Sequence, residues 1–231
     1  MKLSDYIFAR LGELGARQVF LVTGGAAMHL NDSIGTSGLN YLCTHHEQAA
    51  AMAAEGYARI TQTPAIVNVT AGPGGINALN GVFGAWTDSI PMLILSGQVK
   101  RETCMSTYGD TGLRQLGDQE VDIVRMVSGI TKYAVLVSEP EAIAYHLERA
   151  WHLAQSGRPG PCWLDLPVDV QSAQIDPACL RHYDPCEDAL IFDPAVVQAQ
   201  VADVIARIAR AQRPVVFAGS GVRLSGALSE F

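Results

Sequence analysis

Apolar residues along this chain fall into short unbroken runs separated by segments of helical periodicity. The runs QVFLV (18–22), AIVNVT (65–70), PMLILS (91–96), TKYAVLV (131–137) and PCWLDL (161–166) are near-continuous rather than alternating. That is the pattern of strands covered on both faces. A shorter run near 40–43 reads as one more strand. Between the strands the spacing predicts helices over 3–15, 26–34, 47–61, 75–87, 119–128 and 139–155. Regular alternation of strand and helix predicts an α/β fold, a doubly wound, mostly parallel sheet with helices on both faces.

The period changes after Val170. Residues 171–193 contain Pro177 and Pro185 without a sustained repeat and read as a linker. A fresh unit then starts at 194, with a helix over 195–210 carrying Val196, Val197, Val201, Val204, Ile205 and Ile208 on one face, and a strand over 214–218 (PVVFA). One helix and one strand cannot close a core. Residues 1–170 are therefore expected to form the first domain and 194–231 the truncated start of a second α/β domain.

Composition narrows the function classes. A 231-residue chain that is 48% hydrophobic and 17% charged is not a disordered one. No apolar run reaches the roughly 18 residues that argue for a membrane span, and the opening MKLSDYIFARLGELG is a charged amphipathic helix rather than a signal peptide. Five cysteines without C-x-x-C spacing read as reduced thiols. A cytoplasmic protein is the expectation. With 16 basic against 23 acidic residues and a net charge of −7, nothing supplies a field for nucleic acid. Walker, zincin and G-x-S-x-G signatures are absent.

Three segments could carry chemistry. In THHEQAAAMAAEGYAR (44–59), Glu47 opens a helix whose next turns are almost all Ala. It reads either as the N3 partner of a Thr44 N-cap in a capping box or as a functional carboxylate at a helix N-terminus. In NVTAGPGGIN (68–77), a buried strand ends at Thr70 and Gly72-Pro73-Gly74-Gly75 leads into a helix bearing Asn77. That turn reads either as an anion cradle or as a glycine turn needing positive φ. Gln119-Glu120-Val121-Asp122 follows a loop containing Tyr108, Gly109, Asp110, Gly112 and Gly117, and reads as an acidic first helical turn or as part of a site. The turn Val22-Thr23-Gly24-Gly25 after the first strand lacks the full G-x-G-x-x-G of a dinucleotide site.

Taken together, VFLVTGGAA, the H-E-Q with A-E-G-Y-A-R, T-x-G-P-G-x-x-N, D-S-I-P with its S-G-Q, Q-E-x-D and G-R-P-G-P-x-x-L-D-x-P-x-D-V occur in the order found in one family. The chain resembles the N-terminal, pyrimidine-binding domain of thiamine-diphosphate-dependent enzymes, in the acetolactate synthase-like branch. The resemblance implies that Glu47 is the catalytic residue that drives the cofactor's aminopyrimidine to its imino tautomer. It implies that Val22, Thr23, Gly24, Gly25, Ala26, Thr70, Gly72, Pro73 and Asn77 line the pyrimidine pocket, with Gln119 on the substrate side. It further implies thiamine diphosphate as cofactor and Mg²⁺ held with the diphosphate on a C-terminal domain whose Gly-Asp-Gly motif does not occur here. The site is then shared between subunits of a homo-oligomer, at least a dimer, and FAD on the central domain is left open. The expected function is decarboxylation of a 2-ketoacid, most simply pyruvate, with acetyl transfer to a second carbonyl. Simple decarboxylation, transfer to another acceptor such as a keto-sugar, and a non-catalytic half-site subunit are the alternatives. The family's R-H-E-Q and Y-P-G-G read His45-His46-Glu47-Gln48 and Val22-Thr23-Gly24-Gly25, and Asp118 stands where Phe is usual.

Overall fold

The computed structural model describes residues 1–108, 112–189 and 191–231, so Gly109 and Asp110 of the glycine-rich loop lie outside the described residues. Each apolar run of the first 170 residues becomes a strand: β1 (Gln18–Leu21), β2 (Asn40–Cys43), β3 (Ala65–Val69), β4 (Met92–Gln98), β5 (Tyr133–Leu136) and β6 (Pro161–Pro167). They pair in the order β2-β1-β3-β4-β6-β5, every pair parallel. The helices are α1 (Leu3–Glu13), α2 (Met28–Thr36), α3 (Glu47–Thr61), α4 (Pro73–Asp88), α5 (Ile123–Val127), α6 (Ile143–Gln155) and α7 (Val168–Gln171). The doubly wound α/β fold expected from the pattern is the fold observed.

Strand alternation divides the core into two layers. Val19, Leu21, Ile66, Leu93, Leu95, Cys162, Leu164 and Leu166 face one way, against buried residues of α1, α2 and α6. Phe20, Val67, Val69, Met92, Ile94 and Trp163 face the other way, against α3, α4 and α5. The second layer is built from small residues. Ala50, Ala51 and Ala54 of α3 meet Ala78, Gly81 and Ala85 of α4, and a Cβ placed on Gly81 would stand 2.5 Å from that of Ala51. At the far ends of these two helices Arg59 bonds both Glu55 and Asp88.

Three expectations meet a different local structure. The helix expected over 119–128 is only α5, because Asp122 caps it, accepting from the Arg125 N–H at 3.0 Å, while Gln119 turns away with φ +59°. Residues 171–184 return across the first unit: Lys2 bridges Gln174, and Ile175, Leu180 and Tyr183 are buried. The run 214–218 forms no strand, since among the described residues none offers it a ladder of hydrogen bonds.

The chain divides into two compact units, Met1–Asp184 and Pro185–Phe231. Within the second, α8 (Pro194–Arg210) is capped by the Asp193 carboxylate, which accepts from the Ala195 N–H at 2.9 Å, and α9 (Gly221–Leu224) follows. None of its described residues is buried. Among the described residues no helix is long and apolar enough to cross a membrane.

Candidate functional site

The strand order locates the cleft. From β1 the chain crosses outward to β2, then returns to β3 on the other side, so the winding reverses between β1 and β3. Ligand crevices of open α/β sheets lie at the carboxyl ends of strands at such a reversal. Three of the predicted segments leave there: residues 22–26 after β1, 44–47 after β2 and 70–73 after β3.

Their contacts are direct. The Ala26 N–H donates to Thr70 Oγ1 at 3.2 Å. Gly24 sits so close to Thr70 that a Cβ there would lie 2.4 Å from the threonine Cβ. At Gly74 a Cβ would stand 2.7 Å from Thr70 Cγ2 and 3.4 Å from Glu47 Oε1. Gly72 adopts φ +56° and faces Gln119 across the rim, with the Gln119 carbonyl oxygen 2.1 Å from where its Cβ would be. Only glycine serves at Gly72, for both its backbone conformation and its lack of space. The structure thus brings together Gly24, Ala26, Glu47, Thr70, Gly72, Asn77 and Gln119. Val22 continues β1, its N–H bonding the Asn68 carbonyl at 3.3 Å. Thr23, Gly25 and Pro73 are exposed along the same turns and make no hydrogen bond to the Glu47–Asn77 pair.

Glu47 is not part of a capping box. His46 is the N-cap, its Nδ1 accepting from the Gln48 N–H at 3.1 Å, and Glu47 is the first helical residue. The Thr44 hydroxyl donates instead to the His46 carbonyl at 2.9 Å. Freed from capping, the Glu47 side chain crosses to α4, where one carboxylate oxygen accepts from Asn77 Nδ2 at 3.0 Å. This pairing explains the lone polar side chain early in an otherwise apolar helix. Glu47 is 8% exposed, and its second oxygen, Oε1, has no hydrogen-bond partner among the described residues. A carboxylate so placed is steadied by the α3 macrodipole and by Asn77. It keeps one oxygen for a ligand atom that can donate or share a proton. The donor set and the glycine-walled cleft fit an aminopyrimidine ring.

Beneath the rim lie residues that the motif reading missed. Asn68 Nδ2 donates to Asn31 Oδ1 at 2.8 Å, and Asn31 Nδ2 to the Gly24 carbonyl at 3.3 Å. Gln171 Nε2 donates to the carbonyls of Ala26 and Leu166, each at 2.7 Å. The 24–26 turn is therefore pinned from below through its carbonyls. The available signal was one polar residue, Asn68, inside the buried run AIVNVT. Other motif positions are structural ties. Asp169 holds Arg101 at 2.7 Å, Ser89 accepts from Arg158 at 2.7 Å, and Glu120 accepts from the backbone N–H groups of Met105 and Gly117 at 3.0 and 2.7 Å.

Comparison with known proteins identifies the family of the chain. Residues 1–126 match the family described as thiamine pyrophosphate enzyme, N-terminal TPP binding domain. The acetolactate synthase large subunit of Lactococcus lactis is 34% identical, with 99% of this chain and 38% of the relative covered. The probable acetolactate synthase large subunit of Methanocaldococcus jannaschii is 35% identical, covering 100% of this chain and 38% of the relative. Acetolactate synthase isozyme 3 large subunit of Escherichia coli is 34% identical over 96% of this chain and 38% of its own length. The chain spans a little over a third of these curated relatives.

Proposed function

Because this chain belongs to the thiamine pyrophosphate enzymes, matching their N-terminal TPP binding domain, we propose that it supplies the cofactor-activating half of an acetolactate synthase-like active site. The observation that carries the proposal is the Glu47–Asn77 pair at the mouth of the β1/β3 crevice. Thiamine diphosphate, when bound, supplies a carbon nucleophile for a 2-ketoacid carbonyl and a sink for the electrons left when CO₂ departs. The chain's own residues do three things. Glu47 holds a proton at the pyrimidine nitrogen it faces, with Asn77 fixing its carboxylate. The turns at 22–26 and 70–73, with Val22, Thr23, Gly24, Gly25, Ala26, Thr70, Gly72 and Pro73, wall the ring. Gln119 stands on the substrate side of the rim.

The proposed organisation is a pyrimidine-binding domain over 1–170, a linker over 171–193 whose first part, 171–184, packs back on that domain, and the start of a central domain over 194–231. Mg²⁺ and the diphosphate are then held by parts of the protein beyond these residues, with the complete site formed in a cytoplasmic homo-oligomer. Carboligation of two pyruvate-derived units is the proposed reaction, supported by the names of the relatives. The full-length protein incubated with pyruvate, thiamine diphosphate and Mg²⁺ is expected to form acetolactate in a cofactor-dependent manner. Acetaldehyde as sole product would replace carboligation by simple decarboxylation. Absence of any cofactor-dependent CO₂ release would overturn the proposal.

A further inference from the structure

A second polar cluster lies under the other side of the same rim, between the carboxyl ends of β4 and β6. Asp165, 2% exposed, accepts from the Ser96 hydroxyl at 2.5 Å and from Gln98 Nε2 at 2.9 Å. Ser96 in turn accepts from the Trp163 indole N–H at 2.7 Å. Gln98, also 2% exposed, uses its whole amide. Its oxygen accepts from the Val99 N–H at 3.0 Å, and its nitrogen serves both Asp165 and the Val121 carbonyl, the latter at 3.0 Å. Val121 is two residues from Gln119, whose carbonyl lies against Gly72. A chain of bonds therefore runs from a buried carboxylate to the segment that closes the rim.

We propose that Gln98 and Asp165 are positioning residues that dock the 117–122 segment, and with it Gln119, against Gly72, and that the charge on Asp165 sets how firmly it is docked. The inference rests on the proposed site only for its consequence in catalysis, since the docking itself can be measured without cofactor or substrate. Ser96 and Gln98 stand beside Asp165 on the sheet itself, so what docking of the segment adds is burial and the Asp122 carboxylate, both of which disfavour the charged form. Burial pushes the Asp165 carboxyl up to about 7, with the Ser96 and Gln98 bonds pulling it down and the charge of Asp122 pushing it further up. The titratable groups around it are Asp122 from the turn before α5 and the Cys104 thiol from the loop after β4, with Glu120 beyond Cys104. The β4 neighbours Ser96 and Gln98 are uncharged, and β5 contributes only its edge, where the Val137 N–H meets the Asp165 carbonyl at 2.9 Å.

The sign follows. As pH rises toward and through about 7, Asp165 loses its proton, an unfavourable buried charge develops beside Asp122, and the segment loosens. Hydrogen exchange of the full-length protein tests this at the amides of Gly117, Glu120 and Ile123, each bonded within or next to the segment. After correction for intrinsic rates, exchange there is expected to be several-fold faster at about pH 8 than at about pH 6. In Gln98→Met, an apolar residue of similar length, exchange should be faster by about tenfold at both pH values. In Asp165→Asn, the pH dependence should vanish, as should the pH-dependent shift of the Trp163 indole proton. Unchanged protection in Gln98→Met, or pH dependence that survives Asp165→Asn, would overturn the inference. If the full-length protein proves to lack cofactor-dependent chemistry while these exchange results hold, the docking stands and only its catalytic consequence falls.

Discussion

On one face of the sheet α1, α2 and α6 bury Phe8, Ile7, Leu11, Leu30, Ile34 and Leu147, whereas on the other α3 and α4 meet through Ala50, Ala51, Ala54, Ala78 and Gly81. The two layers contribute different things. Bulky side chains on the first face give the sheet most of its large apolar burial. There the polar ties lie at the edges, as where Arg10 and His182 bond Glu148 at 2.9 and 2.7 Å and where Asn68 bonds Asn31 of α2 at 2.8 Å beneath the crevice. Small side chains on the second face let two helix backbones approach until residues at their first turns share a hydrogen bond. Glu47 reaches Asn77 because the Ala51–Gly81 contact lets α3 and α4 approach closely near their first turns. One face is thus a volume to be filled, and the other sets a distance.

Substitutions that respect or violate this division should separate the two faces. The largest effect is expected from Glu47→Gln in the full-length enzyme. It keeps the shape of the side chain and removes the proton-holding oxygen, so turnover should fall about 10²- to 10⁴-fold with the melting temperature nearly unchanged. Near-normal turnover in a folded variant would contradict the role given to Glu47. Next comes Gly81→Val, which forces side-chain atoms into Ala51 and the Met52 backbone N–H, already 2.5 and 2.9 Å from a bare Cβ. Overpacking of this kind costs about 1–3 kcal/mol, read as a lower denaturation midpoint, and by parting α3 from α4 it should also weaken thiamine diphosphate binding. Leu147→Met, on the opposite face, conserves volume. It should cost less than about 1.5 kcal/mol and leave cofactor affinity alone. If Gly81→Val and Leu147→Met shift cofactor affinity equally, the distinction between the faces is lost.

Much of this architecture is legible in the amino-acid sequence, for identifiable reasons. Buried parallel strands need continuous apolar runs, so QVFLV, AIVNVT, PMLILS and PCWLDL stand out, and the reversal of winding between β1 and β3 then fixes the crevice. The small residues after Glu47 signal a close helix contact, although not its partner. What the sequence hides is local competition between alternatives of similar energy. Thr44 and His46 can both cap a helix, and the imidazole holds that position here, which releases Glu47 toward Asn77. α5 starts at Ile123, capped by Asp122, rather than at residue 119, because the chain turns at Gln119 to bring its carbonyl onto Gly72. Asn31 and Gln171 stand outside the motifs, and Asn68, Gln98 and Asp165 stand inside them without a legible role, because each bonds residues distant in the chain. A polar residue within a buried run, such as Asn68 or Asp165, is the trace such networks leave. The run at 214–218 shows the converse, that apolar content alone does not make a strand without a neighbour to pair with.

The central claim is that the β1/β3 crevice receives a pyrimidine at Glu47 rather than an anion at the Gly72 turn. A crystal structure of the full-length protein with thiamine diphosphate tests it most directly. The account predicts the Glu47 carboxylate within about 2.6–3.2 Å of a pyrimidine ring nitrogen, the 22–26 and 70–73 turns around the ring, and the diphosphate away from this domain. Phosphate oxygens seated on the N–H groups that follow Gly72, with the pyrimidine ring remote from Glu47, would contradict it.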